Sequence, residues 1–177
     1  MTKPDPVINT EELQDVICKA LGVHISVAQT ITQANMVEGM IDAYIAEFYT
    51  RCPAADYQAP YLAFRWDVLA NRNVTLNAKI DILFKVFKRI DPAHATKANR
   101  KKYVAWLEIR NKFAHGQQVG SPEGDKLFYG GEFFNAEALA DDFMAHQRAI
   151  MVHMHKYAEL KGPYFNRIPT KNWEGKK

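Results

Sequence analysis

The sequence lacks the features that mark secreted, membrane-spanning or disordered proteins. Two cysteines in 177 residues, Cys18 and Cys52, are too few for a disulfide framework, and we interpret them as reduced thiols of a cytoplasmic protein. No apolar run reaches the roughly 18 residues that a membrane span needs, and the first residues carry no stretch typical of a secretory signal. A hydrophobic content of 47% is too high for a disordered chain, so we predict a soluble globular domain without membrane attachment.

Known catalytic fingerprints are also missing. The chain has no glycine-rich nucleotide loop, no CxxC, no HExxH helix and no GxSxG elbow. His153 and His155 would lie about 200° apart on a helix, which makes them poor ligands for one metal, and we interpret them as an exposed chance pair. We therefore expect neither a metal nor a cofactor. The net charge of +3 permits nucleic-acid binding without requiring it.

Apolar residues recur every three or four positions along most of the chain, which is the pattern of amphipathic helices. Thr10 can begin the first helix and Gly22 can end it. Later helices are predicted to end before Pro92 and to begin after an Asn135 cap. The predicted helical ranges are 10–22, 26–51, 60–70, 77–91, 97–115 and 135–162.

Residues 117–125 are predicted to form a loop. The run from Leu127 to Phe134 is typical of a β-hairpin, because two apolar arms flank a Gly-Gly turn. The predicted fold is all-α: an antiparallel helical bundle over residues 1–162, with a small β-hairpin inserted before the last long helix. A loosely ordered tail is predicted for residues 163–177.

Arg110 interrupts the predicted buried stripe of the 97–115 helix. A guanidinium facing a core keeps its charge, so it needs an acidic partner or a bound anion. Glu38 and Asp42 lie in the same way along the apolar face of the 26–51 helix, and we expect one of the two to pair with Arg110. Such a pair can serve a site, or it can simply fix how two helices pack.

His115 follows Arg110 by five residues, which is about 140° around an ideal helix. The two side chains can converge on one anion if the helix end distorts, or if two copies of the helix meet across a two-fold axis. Asn111 shares a helix face with His115. An arginine for phosphate, a histidine for proton transfer and an asparagine for orientation are the groups that phosphodiester cleavage requires.

The segment Arg-Asn-Lys-Phe-Ala-His-Gly, residues 110–116, resembles the R-x4-6-H signature of the HEPN superfamily. The polar residue directly after the arginine is part of that likeness. The long amphipathic helix with its acidic position, and the helix from Ile80 to Phe87, extend it over residues 26–160. Two other Arg–His pairs have the same spacing, but they lack this context.

The resemblance implies a small all-α homodimer that acts as a metal-independent endoribonuclease, often as a toxin or defence effector. It implies that Arg110 binds and polarises the scissile phosphate and that His115 transfers protons. It also implies that Asn111 positions either the phosphate or the imidazole of His115. Glu38 and Asp42 both fit the family's acidic position. Attack by the ribose 2′-hydroxyl would confine the activity to RNA.

Basic residues near the two ends of the same helix are candidates for RNA-backbone contacts, although they can equally be solvated: Lys97, Arg100, Lys101, Lys102 and Lys112. An antitoxin or a nucleotidyltransferase is a conceivable protein partner. The alternative function is that of a non-catalytic HEPN regulator or binding module. Mannitol-repressor-like proteins share a comparable Arg-Asn-x-x-Ala-His stretch, and in such a protein the motif would serve packing and dimerisation.

Overall fold

The computed structural model describes residues 10–51, 58–71, 73–119 and 126–167, with side chains from residue 27 to residue 160. Its helices are α1 (Thr10–Thr50), α2 (Ala59–Ala63), α3 (Leu76–Ile90), α4 (Lys97–His115) and α5 (Ala136–Arg167). A three-stranded antiparallel sheet, in the order β1-β2-β3, comprises β1 (Gln117–Val119), β2 (Lys126–Tyr129) and β3 (Glu132–Asn135). The prediction of a mostly helical protein is confirmed. Over these ranges, no helix combines the length and the apolarity that a bilayer crossing requires.

Helix α1 is one continuous element of 41 residues, so the predicted break at Gly22 is wrong. A glycine inside a helix costs only about 1 kcal/mol relative to alanine, and no proline follows to stop the chain. The helix ends instead at Arg51, which takes a left-handed conformation with φ of 57°. The Arg51 N–H donates to the Glu47 carbonyl at 2.8 Å and so closes the last turn.

The helix predicted over residues 60–70 is present, but its inward face, which the apolar spacing predicts to include Trp66, differs. Helix α2 continues into a π-helical turn, Phe64–Leu69. The wider i→i+5 hydrogen bonding of that turn shifts the helical phase. Trp66, predicted to be buried, is therefore 62% exposed, whereas Tyr61 and Leu69 are each only 1% exposed.

Side-chain caps begin three helices. Thr75, two residues before the predicted start of α3 at Asn77, accepts a hydrogen bond from the Ala78 N–H at 3.3 Å, and Thr96 caps α4 by accepting from the Asn99 N–H at 3.1 Å. Asn135 caps α5 as predicted, since its Oδ1 accepts from the Ala138 N–H at 2.8 Å. Helix α5 extends to Arg167, beyond its predicted end, and the remainder of the predicted tail, residues 168–177, lies outside the described residues.

The predicted hairpin is confirmed. Strands β2 and β3 pair Leu127 with Phe134, and the turn is made by Gly130 and Gly131, whose φ values of 62° and 90° favour glycine. The structure adds β1, which pairs with the other edge of β2. Residues 117–119 therefore form a strand and not a loop, and three residues are too few to show an alternating pattern in the sequence.

The chain divides into two compact units. Unit 1 comprises residues 1–34 and 108–144, and unit 2 comprises residues 35–107 and 145–177. The predicted single domain over residues 1–162 stays a prediction. Among the described residues, the core of unit 1 includes Ile109, Phe113, Leu127, Leu139 and Phe143. The core of unit 2 includes Ile41, Ile45, Ile80, Leu83, Phe87, Tyr103, Trp106, Ile150, Met154 and Tyr157.

Two stacked imidazoles lie in the interior of unit 2. The rings of His94, in the α3–α4 loop, and His153, on α5, are 3.8 Å apart and 6° from parallel. Each Nε2 lies 2.9 Å from the other residue's backbone carbonyl oxygen, and the Tyr103 hydroxyl is 2.9 Å from His153 Nδ1. Because a carbonyl only accepts, each Nε2 carries a proton, and the Tyr103 hydroxyl donates to Nδ1 of a neutral His153. The expectation of an exposed His153 is wrong.

The burial of His153 makes the free energy of unfolding depend on pH. Burial lowers its pKa to about 4 from an ordinary 6.5, so acid favours the unfolded chain, which binds a proton that the native chain does not. We expect the stabilisation to be complete above pH 6.5 and to fall between pH 6.5 and 4, by at most about 1.4 kcal/mol per pH unit. Urea denaturation over this range measures it.

A matched pair of variants isolates the effect. His153→Gln should flatten the slope of stability against pH. His155→Gln, in which the replaced side chain is 77% exposed, should retain it. A slope that His153→Gln leaves unchanged would contradict the assignment.

Candidate functional site

The predicted catalytic residues Arg110, Asn111 and His115 occupy the last two turns of α4, in unit 1. Arg110 is half-buried, and its Nη1 donates to Asn111 Oδ1 at 3.3 Å. Its Nε is buried and finds no acceptor among the described residues. His115 is exposed at the last position of the helix. The segment thus combines a cation whose hydrogen-bonding capacity is unsatisfied with a solvent-accessible imidazole.

The buried face of this part of α4 differs slightly from the stripe that helical spacing predicts, which passes through Arg110, Phe113 and Ala114. Ile109 and Phe113 are 8% and 3% exposed, whereas Ala114, predicted to be buried, is exposed. Arg110 therefore lies at the edge of the buried face and not at its centre. This position explains why its guanidinium is half-buried.

Helix α4 stays regular to its end. The Gly116 N–H donates to the Lys112 carbonyl at 2.8 Å, which completes an α-helical turn. A Cβ at Gly116 would lie 2.4 Å from the same carbonyl oxygen, so only glycine fits there. Arg110 and His115 consequently remain about 140° apart around the helix. Distortion of the helix end, one of the two predicted routes to their convergence, is not observed.

The predicted RNA-binding residues have different surroundings. In unit 2, Arg100 forms an ion pair with Asp81, with Nη2 and Oδ1 2.6 Å apart, and Lys102 donates to Asn99 at 3.2 Å. Lys97 and Lys101 are exposed. In unit 1, Lys112 Nζ lies 3.6 Å from the centroid of the Phe134 ring, a cation–π contact.

Glu38 and Asp42, the predicted acidic residues, lie in unit 2 and share one cation. Lys79 Nζ, on α3, donates to Glu38 Oε1 at 2.7 Å and to Asp42 Oδ2 at 3.0 Å. Sequence reasoning missed Lys79, which is 4% exposed. The sequence feature that could have identified Lys79 is a charged residue within the apolar stripe of α3, four positions before Leu83. Arg110 stands out in α4 for the same reason. The pairing of Arg110 with Glu38 or Asp42 stays a prediction.

The pKa values of Asp42 and Lys79 are both raised, for different reasons. Burial raises the pKa of Asp42, and it does so more strongly than the hydrogen bond and charge of Lys79 lower it. Burial alone would lower the pKa of Lys79, but the hydrogen bonds that it donates to Glu38 and Asp42, together with their charges, outweigh burial and raise the pKa above 10.5. Lys79 is therefore a permanent cation at neutral pH.

A cavity of about 440 Å³ opens beside this cluster, within unit 2. One face of α1 supplies part of its wall through Asn35, Glu38, Gly39 and Asp42. Lys79 completes the charged part. A mixed polar and apolar side comes from the end of the π-helical turn and the residues beyond it: Leu69, Ala70, Asn71 and Val74.

No family model, curated protein or solved structure matches the chain. Within the described ranges, no three side chains of histidine, cysteine, aspartate or glutamate are grouped so that they could hold a metal ion. Interpretation of the site therefore depends on its own geometry and on the sequence motif.

Removal of the shared cation should destabilise the protein. Lys79→Ala leaves two partly buried carboxylates facing each other, and we expect the free energy of unfolding to fall by about 3 kcal/mol. Urea denaturation at pH 7 measures the loss. Lys85→Ala, at an exposed position of the same helix, should change it by less than about 0.5 kcal/mol.

A second substitution tests the cause. Adding Asp42→Asn to Lys79→Ala removes one of the stranded charges and should recover part of the loss. Equal losses in Lys79→Ala and Lys85→Ala would contradict this account of the ion pairs.

Proposed function

We propose that the protein is a metal-independent endoribonuclease of the HEPN type that acts as a homodimer, with Arg110 and His115 as its catalytic residues. The observation that carries the proposal is the environment of Arg110. Its guanidinium is half-buried, its neighbour Asn111 offers a neutral acceptor, and its buried Nε has no acceptor in the described part of the chain. A cation in this condition favours an anionic ligand, and phosphate oxygens accept from arginine in a forked geometry.

The chemistry of the motif suits RNA. A neutral His115 takes the proton of the ribose 2′-hydroxyl, and the 2′-oxygen attacks phosphorus. The bond from phosphorus to the 5′-oxygen breaks, and a protonated histidine donates a proton to that leaving oxygen. Arg110 stabilises the charge that develops on the phosphoryl oxygens. The products are a 2′,3′-cyclic phosphate and a 5′-hydroxyl, and DNA, which lacks the 2′-hydroxyl, is not a substrate.

The regular end of α4 makes a second copy of the chain part of the proposal. One helix keeps Arg110 and His115 on different sides, so a site that uses both is best built from the arginine of one copy and the histidine of the other. A two-fold axis would create two such sites, in each of which one histidine takes the 2′-hydroxyl proton and then, once protonated, donates to the leaving oxygen. Lys112, near the same helix end, adds positive charge for the RNA backbone.

Cleavage assays with tRNA and total RNA in the presence of EDTA test the activity. We expect the wild type to produce cyclic phosphate ends, and Arg110→Ala and His115→Ala to lose about 100-fold or more in rate, because each removes a group that acts in the transition state. Arg148→Ala and His155→Ala are matched controls on exposed positions of α5 and should cleave normally.

Three results would contradict the proposal. Cleavage that EDTA abolishes would exclude the metal-independent mechanism. Cleavage by His115→Ala at the wild-type rate would exclude its catalytic role. A dimer without any cleavage would favour the non-catalytic regulator. If expression of the wild type is toxic to its host cells and His115→Ala relieves that toxicity, the result would support the ribonuclease.

Mixing two inactive variants tests the shared site. If each site takes Arg110 from one copy and His115 from the other, an Arg110→Ala/His115→Ala heterodimer contains one intact site. Random association makes half of the dimers heterodimers, each with one of its two sites intact, so about a quarter of the wild-type activity should return. Activity that stays at the level of the single variants would place both residues of a site in the same copy.

A further inference from the structure

We propose that the cavity beside Asp42 binds a small organic molecule through a fork of N–H donors, the group that a guanidinium and the guanine base have in common. The inference concerns unit 2 alone and uses none of the residues to which the proposed cleavage assigns a step. Its success or failure is therefore independent of ribonuclease activity.

Asp42 supplies the first argument. The residue is 8% exposed, and its Oδ2 accepts from Lys79 at 3.0 Å. Its Oδ1 is buried and has no donor among the described residues, and Asp42 is one of the residues that line the cavity. A buried carboxylate oxygen without a hydrogen bond is unfavourable, and a ligand in the cavity that donates an N–H would satisfy it.

The arrangement of Lys79 supplies the second argument. It occupies one oxygen of each carboxylate, Glu38 Oε1 and Asp42 Oδ2. Lys79 does not bond the second oxygen of either acid, and the two side chains lie one helical turn apart on the same face of α1. Two such acceptors match a planar group with two N–H donors, in the way that carboxylates receive a guanidinium fork.

The space fits a molecule of this kind. At about 440 Å³ the cavity lies in the range of small-molecule sites and far exceeds the roughly 30 Å³ of one water. Gly39 leaves part of this wall without a side chain, since a Cβ there would meet within 4 Å only Arg65 Nη2, at 3.5 Å.

The charge balance admits both sources of the fork. Two carboxylates and Lys79 leave one negative charge, which favours a guanidinium. The positive charge of the nearby Arg65 offsets it in part and so favours a neutral base. Asn71 Oδ1 accepts from the Asn73 N–H at 3.0 Å. Its amide NH2 therefore remains as a donor at the cavity for a carbonyl oxygen such as that of guanine.

Isothermal titration calorimetry on the full chain, without RNA, tests the site. We expect one saturable site for guanosine or for agmatine and none for adenosine, which lacks the fork. Binding of guanosine alone identifies a nucleobase ligand, and binding of agmatine alone identifies a guanidino compound.

Two variants test the site itself. Asp42→Asn replaces the accepting carboxylate by an amide and should weaken binding about tenfold or more. Asp81→Asn, an aspartate of α3 paired with Arg100, should leave it unchanged.

A second variant guards against loss of folding. Gly39→Leu fills the cavity, leaves Asp42 and Lys79 in place, and should abolish binding with an unchanged helical circular dichroism spectrum. Failure of both probes to bind at about 1 mM would overturn the proposal. Equal affinities of Asp42→Asn and the wild type would overturn it as well.

Discussion

Lys79 is a buried cation, and much of the organisation of unit 2 depends on the acidic residues that pair with its charge. An ammonium that is 4% exposed persists only if acids accompany it, and α1 supplies both of them, at Glu38 and Asp42. The register of α1 against α3 is fixed by this requirement as well as by apolar packing, because a shift of one residue in either helix would strand three charges. Register specification is the best-attested use of buried charge.

The same cluster is only partly satisfied, and that separates it from a purely structural ion pair. One oxygen of Asp42 is buried without a donor in the described part of the chain, and burial raises the pKa of this carboxyl despite its bond to Lys79. Perturbed acids beside open cavities occur preferentially at functional sites. By contrast, the neutral His153 with its two hydrogen-bonded ring nitrogens shows what a fully satisfied polar group looks like in the same unit. Burial raises the pKa of Tyr103 as well, which keeps its hydroxyl protonated as the donor to that ring.

Helical periodicity predicted most of the fold because the apolar stripes of α3, α4 and α5 are regular. It failed where a local feature decides: Gly22 does not end α1, the π-helical turn rotates Trp66 outward, and strand β1 is too short to show a pattern. The candidate site was partly predictable, since a charge within an apolar stripe identified Arg110, Glu38 and Asp42. The partner of the two acids was not, because periodicity shows which residue is buried and not which charge it meets. The prediction that His153 is exposed was wrong for the same reason, because its surroundings include a loop residue, His94, that helical periodicity does not place.

Net charge is too coarse a measure of what this surface can bind. Within unit 2, Lys79 is neutralised by acids in the interior and Arg100 by Asp81 at the surface, so neither contributes freely to an RNA contact. Of the predicted RNA-binding residues in unit 2, Lys97 and Lys101 are exposed, and salt screens the field of such a charge beyond about 10 Å at 0.1 M. Affinity for a polyanion depends on how many such charges contact phosphates at once. A monomer with few of them binds RNA weakly, and a two-fold axis doubles the number. Dimerisation would therefore supply both the second half of a catalytic site and the charge density that a +3 chain lacks by itself.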